Sequence, residues 1–388
     1  MKKGYIVSFV LGALTLSITA VGINTVRGIV VSKDKEVAGE KSYSKLDVLQ
    51  KYIDTFYLDS DEVKKEDLAN GIYKGYISAL GDPYSQYFTK EEYEELMEST
   101  SGEYKGIGVI VSQDDKTGVI TLISVYDNTP AKEVGLKDGD ILYKVKGEEV
   151  TGKDLDKVVS EIRGAEGSKV NIEIFRESTN EYLEFDVERR TIEIPTVNSK
   201  MIDEENKIGY IQVLQFDSNT DEIFTKQLKK LLDEGMKSVI FDLRNNPGGS
   251  YDTVCNMLDE LLPEGTLVYT LDKNGKKEVE TSDASCIDIP MAVLMNGNSA
   301  SASEIFAGAI QDYKAGTIIG TQSFGKGIVQ SVFGLEDGSA IKLTVSKYYT
   351  PNGENIHKKG ITPDVEVEDN ADTKEDEQLD EALKQLRK

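Results

Sequence analysis

The chain has 388 residues, of which 45 are Lys or Arg and 69 are Asp or Glu, so its formal net charge is −24 with the single histidine counted as neutral. A chain of this length holds two or three ordinary domains. The acidic balance argues against a nucleic-acid partner, because binding to phosphates requires clustered Lys and Arg.

The first thirty residues carry a membrane signal. Lys2 and Lys3 precede an uncharged stretch from Gly4 to Val26, close to the ~20 apolar residues with which a helix crosses a bilayer. The basic flank predicts that the N-terminus lies inside the cell and the rest of the chain outside. A cleaved signal peptide is the alternative, but the run is longer than its usual apolar region and lacks an A-x-A site. We predict a single-pass anchor at residues 1–30 and an extracytoplasmic body at the cell membrane.

Residues 43–101 show the periodicity of amphipathic helices, with apolar residues three and four positions apart. The members of the two stripes are Leu46, Leu49, Ile53 and Tyr57, then Leu68, Ile72 and Tyr76. Gly81, Asp82 and Pro83 interrupt the pattern with turn-forming residues. We predict a small helical module, whose plain interpretation is a cap on the domain that follows.

Short strands separated by turns follow from residue 103 to residue 190. Gly106, Ile107, Gly108 and Val109 form a glycine-rich entry into an apolar strand, and a Gly-Asp-Ile sequence stands at 139–141. A Gly-x-Gly pair taken alone is usually structural. The pattern predicts a small β-rich domain.

Strands alternate with helices from residue 191 to residue 367, which is typical of an α/β core. The predicted strands cover 208–214, 238–243, 290–295 and 317–319, and the predicted helices cover 225–232, 251–262 and 303–313. The charged stretch at 368–388 is predicted to be a tail or a peripheral helix.

Ser301 lies in the run Asn-Ser-Ala-Ser-Ala-Ser-Glu at 298–304. Ser301 and Glu304 have the spacing of a helix-capping box, and the residues that follow are helical in pattern. The same placement suits a nucleophile, because the free N–H groups and the positive dipole end of a helix stabilise an oxyanion. Ser299 and Ser303 are the competing candidates for this role.

A serine nucleophile needs a base, and the chain has one histidine, His357, in a loop. Lysine replaces histidine in some serine enzymes. Lys326 is flanked by Gly325, Gly327 and apolar residues, which permits the burial that lowers a lysine pKa by the ~2–3 units a base at pH 7 requires. Gln330, four positions on, returns to the same face and can orient a lysine without raising its pKa. We predict no catalytic role for His357.

A third motif runs from Phe241 to Gly249, where an apolar strand enters a loop with the sequence Asn-Asn-Pro-Gly-Gly. Such a loop can supply backbone N–H donors for an oxyanion hole, each worth roughly 10²–10³ in rate in well-studied serine proteases. We expect one donor at Gly248, in preference to Gly249, and a second at Ala302. A purely structural turn has the same pattern.

Cys255 and Cys286 lie outside any metal-like spacing, and with one histidine in the chain a zinc site is not expected. Cys255 falls in an amphipathic stretch and is predicted to be a small buried hydrophobic residue. A disulfide between the two cysteines is left open. We predict no metal and no cofactor.

Taken together, these motifs resemble the C-terminal processing peptidases (tail-specific proteases of peptidase family S41), serine proteases that combine a Ser-Lys pair with a PDZ domain. The resemblance covers about residues 46–367 and keeps the family's motif order. It implies a multi-domain α/β protein with a PDZ domain at 103–190 and a ClpP/crotonase-like protease core at 191–367. It also implies that the helical module at 43–101 mediates contacts in a homodimer.

The resemblance implies roles for individual residues. Ser301, Lys326 and Gln330 match the family's serine, lysine and glutamine. The loop from Gly106 to Val109 would hold the free C-terminal carboxylate of a substrate that adds a strand to a sheet edge. Arg163 resembles the family's Arg-Gly turn and is a candidate link between peptide capture and the active site, since arginine can hold a partner loop through several donors. The implied substrates are proteins or peptides cut near their C-termini.

One rival comes from another functional class, a catalytically inactive PDZ scaffold. The complete set of Ser301, Lys326 and Gln330 weighs against it. Labelling with an active-site serine probe separates the two hypotheses.

Overall fold

The computed structural model describes residues 40–114, 116–368 and 375–387. The anchor predicted at residues 1–30 lies outside these ranges. Within them, no helix is both long enough and apolar enough to span a membrane.

Helices dominate the first part of the described chain. They are α1 Glu40–Phe56, α2 Lys65–Ser78 and α3 Lys90–Thr100, with the short strand β1 Gln86–Phe88 before α3. A capping box begins α3, in which Thr89 and Glu92 hydrogen bond each other. Large apolar side chains remain exposed on α1, α2 and their flanks; they are Leu46, Val48, Leu49, Tyr52, Phe56, Tyr57, Leu58, Ile72, Tyr73, Tyr76 and Leu80.

A small β-rich domain follows, entered through β2 Glu103–Gly106 and left through β9 Arg190–Glu193, which pair antiparallel. Its elements are β3 Val109–Gln113, β4 Ile120–Val125, α4 Pro130–Val134, β5 Ile141–Val145, β6 Glu148–Glu149, α5 Leu155–Ile162, β7 Lys169–Arg176 and β8 Glu181–Glu188. The sheet order is β3-β4-β5-β7-β8, which places β3 at an edge. Ile107, Leu142 and Ile172 lie in its buried apolar core.

The remaining elements form an α/β core. They are β10 Val197–Asp203, β11 Ile208–Val213, α6 Thr220–Asp233, β12 Ser238–Asp242, α7 Tyr251–Asp259, β13 Gly265–Asp272, β14 Lys277–Ser282, β15 Met291–Met295, α8 Ala302–Tyr313, β16 Gly316–Gly320, β17 Ile328–Gly334, β18 Ala340–Tyr349, β19 Val365–Glu366 and α9 Glu377–Leu386. The strands and helices predicted from the alternating pattern are confirmed, although α6 begins earlier than predicted, at Thr220.

Two sheets build this core. The first has the order β10-β11-β12-β15-β16-β19, parallel except for β10. The second has the order β1-β18-β13-β14, and β17 also pairs with β18. Gln86 of β1 lies opposite Lys342 of β18. The N-terminal part of the chain is therefore hydrogen bonded into the same sheet as the segment that carries Lys326.

Helices cover both faces of the first sheet, because successive side chains of a strand point in opposite directions. Val239 and Phe241 of β12 pack in the cluster that includes α6, α7 and α8, whereas Ile240 packs on the side of α9. Ala382 of α9 is buried there. The charged stretch predicted as a tail or peripheral helix thus contains a helix that completes the core, held also by the ion pair of Asp376 with Arg244.

Both cysteines lie in described parts of the chain and are free. Cys255 is buried in α7, as its amphipathic setting predicts, and Cys286 is exposed. The disulfide that the sequence left open is not formed.

Candidate active site

Ser301 directly precedes α8, and its backbone has φ 56 and ψ −112. A non-glycine residue with positive φ is strained, at a cost on the order of 1–3 kcal/mol, and such residues cluster at functional sites. A hydrogen bond from Ser299 N to Asn296 O closes the turn between β15 and Ser301. The chain therefore places Ser301 on a sharp strand-to-helix turn, a geometry that presents nucleophiles in other hydrolases.

The two competing serines hold the surrounding loops together. Ser299 Oγ donates to the carbonyl of Leu243 at 2.8 Å, and Ser303 Oγ donates to the carbonyl of Asn246 at 2.9 Å. Ser301, by contrast, lines a narrow pocket. The geometry favours Ser301 over its two neighbours as the nucleophile.

Glu304 is buried, and its carboxylate accepts four hydrogen bonds. Oε2 accepts the N–H groups of Ser301 and Lys326, each at 2.8 Å. Oε1 accepts from Ser323 Oγ at 2.6 Å and from Gly325 N at 2.7 Å. Burial raises the pKa of Glu304, and these four donors oppose the shift. One carboxylate thus joins the turn of Ser301 to the loop that carries Lys326.

Lys326 is 1% exposed, and its Nζ lies 4.8 Å from the centroid of the Tyr84 ring. The pKa of Lys326 is lowered to about 8; burial is the largest cause, the positive charge of Lys342 adds to it, and Glu304 and Asp82 oppose it. A lysine with a pKa in this range is neutral often enough near pH 8 to accept a proton.

Lys342 is a second buried lysine in this region. Its Nζ lies 5.4 Å from the centroid of the Phe88 ring. Burial lowers the pKa of Lys342 to about 8, against the opposing charge of Asp82. The charge of Lys342 is thus one of the causes that lower the pKa of Lys326.

Gln330 lies in β17 and is buried. It pairs across the strands with Thr344 of β18, and its Nε2 donates to Thr344 Oγ1 at 3.3 Å. All three residues predicted for catalysis are thus buried, and Glu304 connects the first two.

Gly248 lies directly against the nucleophile turn. A Cβ there would stand 2.7 Å from Ala300 O, 2.9 Å from Ser301 Cβ and 3.0 Å from Ala302 N, and the φ of Gly248 is 102. Its N–H donates to Asn246 Oδ1 at 2.8 Å, so it must leave this partner before it can bind an oxyanion. The N–H of Ala302, the first residue of α8, has no acceptor within the helix. Of the two predicted donors, Ala302 is the one already available.

The narrow pocket beside Ser301 has mainly apolar walls, which include Ile305, Ile328 and Val329. Tyr348 also lines it, and its hydroxyl donates to the carbonyl of Ser301 at 3.2 Å. Burial holds the pKa of Tyr348 far above its ordinary value, so the phenol remains a donor. Mainly apolar side chains therefore line the small space next to the nucleophile.

His357 approaches the lysine loop through its backbone. A Cβ on Gly327 would stand 2.5 Å from His357 N, so the glycine allows the two backbones to touch. Among the described residues, the buried His357 Nδ1 has no hydrogen-bond partner. Burial lowers the pKa of His357, and the charges of Lys358 and Lys347 lower it further.

The loop from Gly106 to Val109 leads into β3, the edge strand of the small β-rich domain. The carbonyl of Ile107 accepts from Ala131 N at 2.9 Å, and the carbonyl of Gly108 accepts from Tyr126 N at 3.0 Å. The loop is therefore held in shape, next to a strand edge to which a peptide can add.

Tyr104 and Arg163 lie beside this loop. The buried Tyr104 hydroxyl faces the N–H groups of Gly108 and Val109 without a hydrogen bond of normal geometry. Burial raises the pKa of Tyr104 to about 12. The Arg163 guanidinium lies 5.5 Å from the centroid of the Tyr104 ring and forms an ion pair with Glu98 of α3 at 3.2 Å.

Sequence reasoning missed several groups at the site. The spacing of a capping box pointed to Glu304, but only as a helix cap. Asp82 and Pro83 were recognised only as a break between helices. Tyr84, Lys342 and Tyr348 carried no signal, because each reaches the site from a distant part of the chain.

The chain is similar to known proteins over most of its length. Residues 207–367 match peptidase family S41, and residues 122–176 match the PDZ domain. The chain is 35% identical over 365 residues to the carboxy-terminal processing protease CtpA of Bacillus subtilis (strain 168), covering 94% of this chain and 76% of that protein. It is 34% identical over 375 residues to a probable CtpA-like serine protease of Staphylococcus aureus (strain COL), covering 95% and 73%.

Among solved structures, the photosystem II D1 C-terminal processing protease is similar over 84% of this chain and 87% of its own, with 27% identity and a TM-score of 0.50. The fold and the relatives define a serine-type peptidase with a PDZ domain. The chain belongs to peptidase family S41, and within it to the CtpA-type C-terminal processing proteases.

Proposed function

We propose that the chain is an endopeptidase that uses a Ser-Lys mechanism. Ser301 Oγ attacks the scissile carbonyl while Lys326 Nζ takes its proton, which then passes to the leaving amine. Gln330 orients Lys326. The oxyanion is held by the N–H of Ala302 and, once it is released from Asn246, by that of Gly248.

The observation that carries this proposal is the shared carboxylate of Glu304. It holds the backbone of Ser301 and of Lys326 on a single oxygen at 2.8 Å. A serine on a strained turn and a buried lysine with a lowered pKa are thereby kept beside each other, which a nucleophile and its base require.

We propose that the PDZ domain binds the substrate's C-terminus and gates the site. A terminal carboxylate at the N–H groups of Gly108 and Val109 would compete with the Tyr104 hydroxyl that now faces them. Tyr104 contacts Arg163, and Arg163 is paired with Glu98 of α3. Peptide binding would therefore disturb contacts between the PDZ domain and the N-terminal helices.

We further propose a single-pass protein with its catalytic part outside the cell membrane, acting on extracytoplasmic or membrane-associated proteins. Residues 1–30 support the anchor by their length and basic flank. The exposed apolar side chains of α1 and α2, including Phe56 and Tyr76, support a homodimer through the helical module. The mainly parallel sheet with helices on both faces is consistent with a ClpP/crotonase-like core.

The mechanism is tested with an internally quenched peptide that has a free C-terminus. Ser301→Ala and Lys326→Ala should each abolish hydrolysis while unfolding stays cooperative, and His357→Ala should retain activity. The double variant should be scarcely worse than either single one, because the two residues act as a unit. Activity in Lys326→Ala together with its loss in His357→Ala would reject the lysine base, and activity in neither variant nor wild type would favour the inactive scaffold.

A further inference from the structure

The turn before β1 reaches the segment that carries the base. Asp82 Oδ2 accepts from Ser85 Oγ at 2.6 Å, and Asp82 Oδ1 accepts from Tyr84 N at 3.1 Å. Ser85 Oγ in turn accepts from the backbone N–H of Thr344 in β18 at 3.2 Å. A carboxylate from the N-terminal part is thereby fixed next to the strand that faces Gln330.

The side chain of Thr344 lies between this carboxylate and the predicted catalytic amide. Its Oγ1 accepts from Gln330 Nε2 at 3.3 Å. Burial raises the pKa of Asp82, but hydrogen bonds from Ser85, Thr344 and Tyr84 outweigh it and hold the pKa below its ordinary value. Thr344 therefore bonds Gln330 and also helps to stabilise the charged form of Asp82, which is ionised at neutral pH.

The chemistry of these groups gives the chain of hydrogen bonds a direction. An ionised carboxylate only accepts, and a hydroxyl has one hydrogen to donate. If Thr344 donates to Asp82, it must accept from Gln330, so the NH₂ of the amide faces Thr344. The amide oxygen then points away from Thr344, and a lysine four residues earlier on the chain can donate an N–H to it.

We propose that Asp82 and Thr344 are positioning residues that set the orientation of the Gln330 amide and, through it, the lone pair of Lys326. The inference rests on the proposed Ser-Lys mechanism. With its oxygen toward the lysine, Gln330 accepts an N–H and leaves the lone pair for the proton of Ser301. With the amide reversed, its NH₂ would donate to that lone pair and divert it.

Other charged groups act on the same lysine and are kept constant in the test. Lys342 lowers the pKa of Lys326, and Glu304 and Asp82 raise it. His357 acts on Asp82. A change at the uncharged Thr344 removes no charged group. It does remove one of the hydrogen bonds that lower the pKa of Asp82, and Ser85→Ala, which removes another, controls for that effect.

The test compares Thr344→Val, Thr344→Ser and Ser85→Ala in the full chain, by the pH profile of kcat/KM on the quenched peptide and by thermal unfolding. Thr344→Val removes the hydroxyl. The plateau of kcat/KM at high pH should then fall about 10–100-fold, because the lone pair of Lys326 no longer points at Ser301. The profile's midpoint should also move to lower pH, since an NH₂ near Lys326 disfavours its charged form. Thr344→Ser should recover most of the loss. If Thr344→Val does not unfold cooperatively, Thr344→Ala replaces it in the comparison with Thr344→Ser and Ser85→Ala.

Ser85→Ala is the matched control, because it removes the hydrogen bonds of Ser85 with Thr344 N and with Asp82 but keeps the side chains of Asp82, Thr344 and Gln330. Ser85→Ala should lower the unfolding temperature but leave the high-pH plateau of kcat/KM close to that of the wild type. A Thr344→Val enzyme with an unchanged plateau and midpoint would overturn the proposal, as would equal losses in Ser85→Ala and Thr344→Val. Activity in Lys326→Ala would instead reject the underlying mechanism.

Discussion

The backbone N–H groups of Ser301 and Lys326 donate to the same oxygen, Oε2 of Glu304, at 2.8 Å each. The two residues lie in different loops, one before α8 and the other before β17, and the buried carboxylate is hydrogen bonded to both. The spacing of the proposed nucleophile and its base therefore depends on Glu304, which we do not expect to react itself.

Glu304→Gln should lower both activity and stability. An amide offers one oxygen, so two of the four donors on Glu304 would face its NH₂ and lose their partner. Each such buried group costs about 1–3 kcal/mol, and kcat should fall by at least about 10²-fold as the two loops separate. Urea unfolding and peptide hydrolysis measure the two effects. Ser323→Ala removes one of the four donors and also takes the acceptor from the N–H of Ile361, so it should lower stability but affect kcat less than Glu304→Gln. A Glu304→Gln enzyme with wild-type kcat would contradict this role.

The pH dependence of kcat/KM should reflect the lowered pKa of the buried Lys326 and its change when Lys342 is substituted. Because the base must be neutral, kcat/KM should rise with pH through an apparent pKa of about 8 and level off above it. Lys342→Met removes a positive charge that lowers the pKa of Lys326, so the midpoint should move to higher pH. Lys342→Arg stays fully charged at every pH in this range, whereas Lys342, with a pKa of about 8, loses part of its charge near the midpoint. In Lys342→Arg the midpoint should therefore move to lower pH, opposite to Lys342→Met. A flat profile between about pH 6 and 10, with chemistry rate-limiting, would argue against a titrating lysine.

The backbone strain at Ser301 should lower the free energy of unfolding. The backbone of Ser301 has a φ of 56. Glycine adopts this conformation without strain, whereas alanine, like serine, has a Cβ that makes it costly. Among the two inactive variants, Ser301→Gly should therefore be more stable than Ser301→Ala by about 1 kcal/mol in urea unfolding. Ala307→Gly, in the interior of the same helix, is the control and should be destabilising. The opposite order for the two Ser301 variants would show that the turn is not strained.

Peptide activation should depend on Arg163. A ligand peptide with a free C-terminal carboxylate should speed cleavage of a second, short substrate, provided that it binds the active arrangement more tightly than the resting one. Arg163→Ala breaks the pairing with Glu98 and should weaken this activation without lowering peptide affinity. Lys153→Ala disrupts a different surface ion pair, with Glu148. It should change neither the activation by ligand peptide nor the peptide affinity. Equal activity with and without ligand peptide in the wild type would exclude gating.

The sequence by itself determined the features that depend on neighbouring residues. Alternation of apolar residues predicted the strands and helices of the core, because burial of one face follows from a local period. The capping spacing placed Ser301 at the start of α8, and the single histidine pointed to lysine as the base. The motif order identified the protease and PDZ regions.

Only the tertiary structure decided how distant residues meet. It bonds Glu304 to the N–H of Lys326, 22 residues on, and Ser85 to Thr344 across 259 residues. It also packs α9 on the sheet and places Asn246 on the N–H of Gly248. Such contacts arise when elements pack together, and local propensity carries no information about them. For this reason the sequence pointed to the nucleophile and the base, while the groups that position them emerged only in the folded chain.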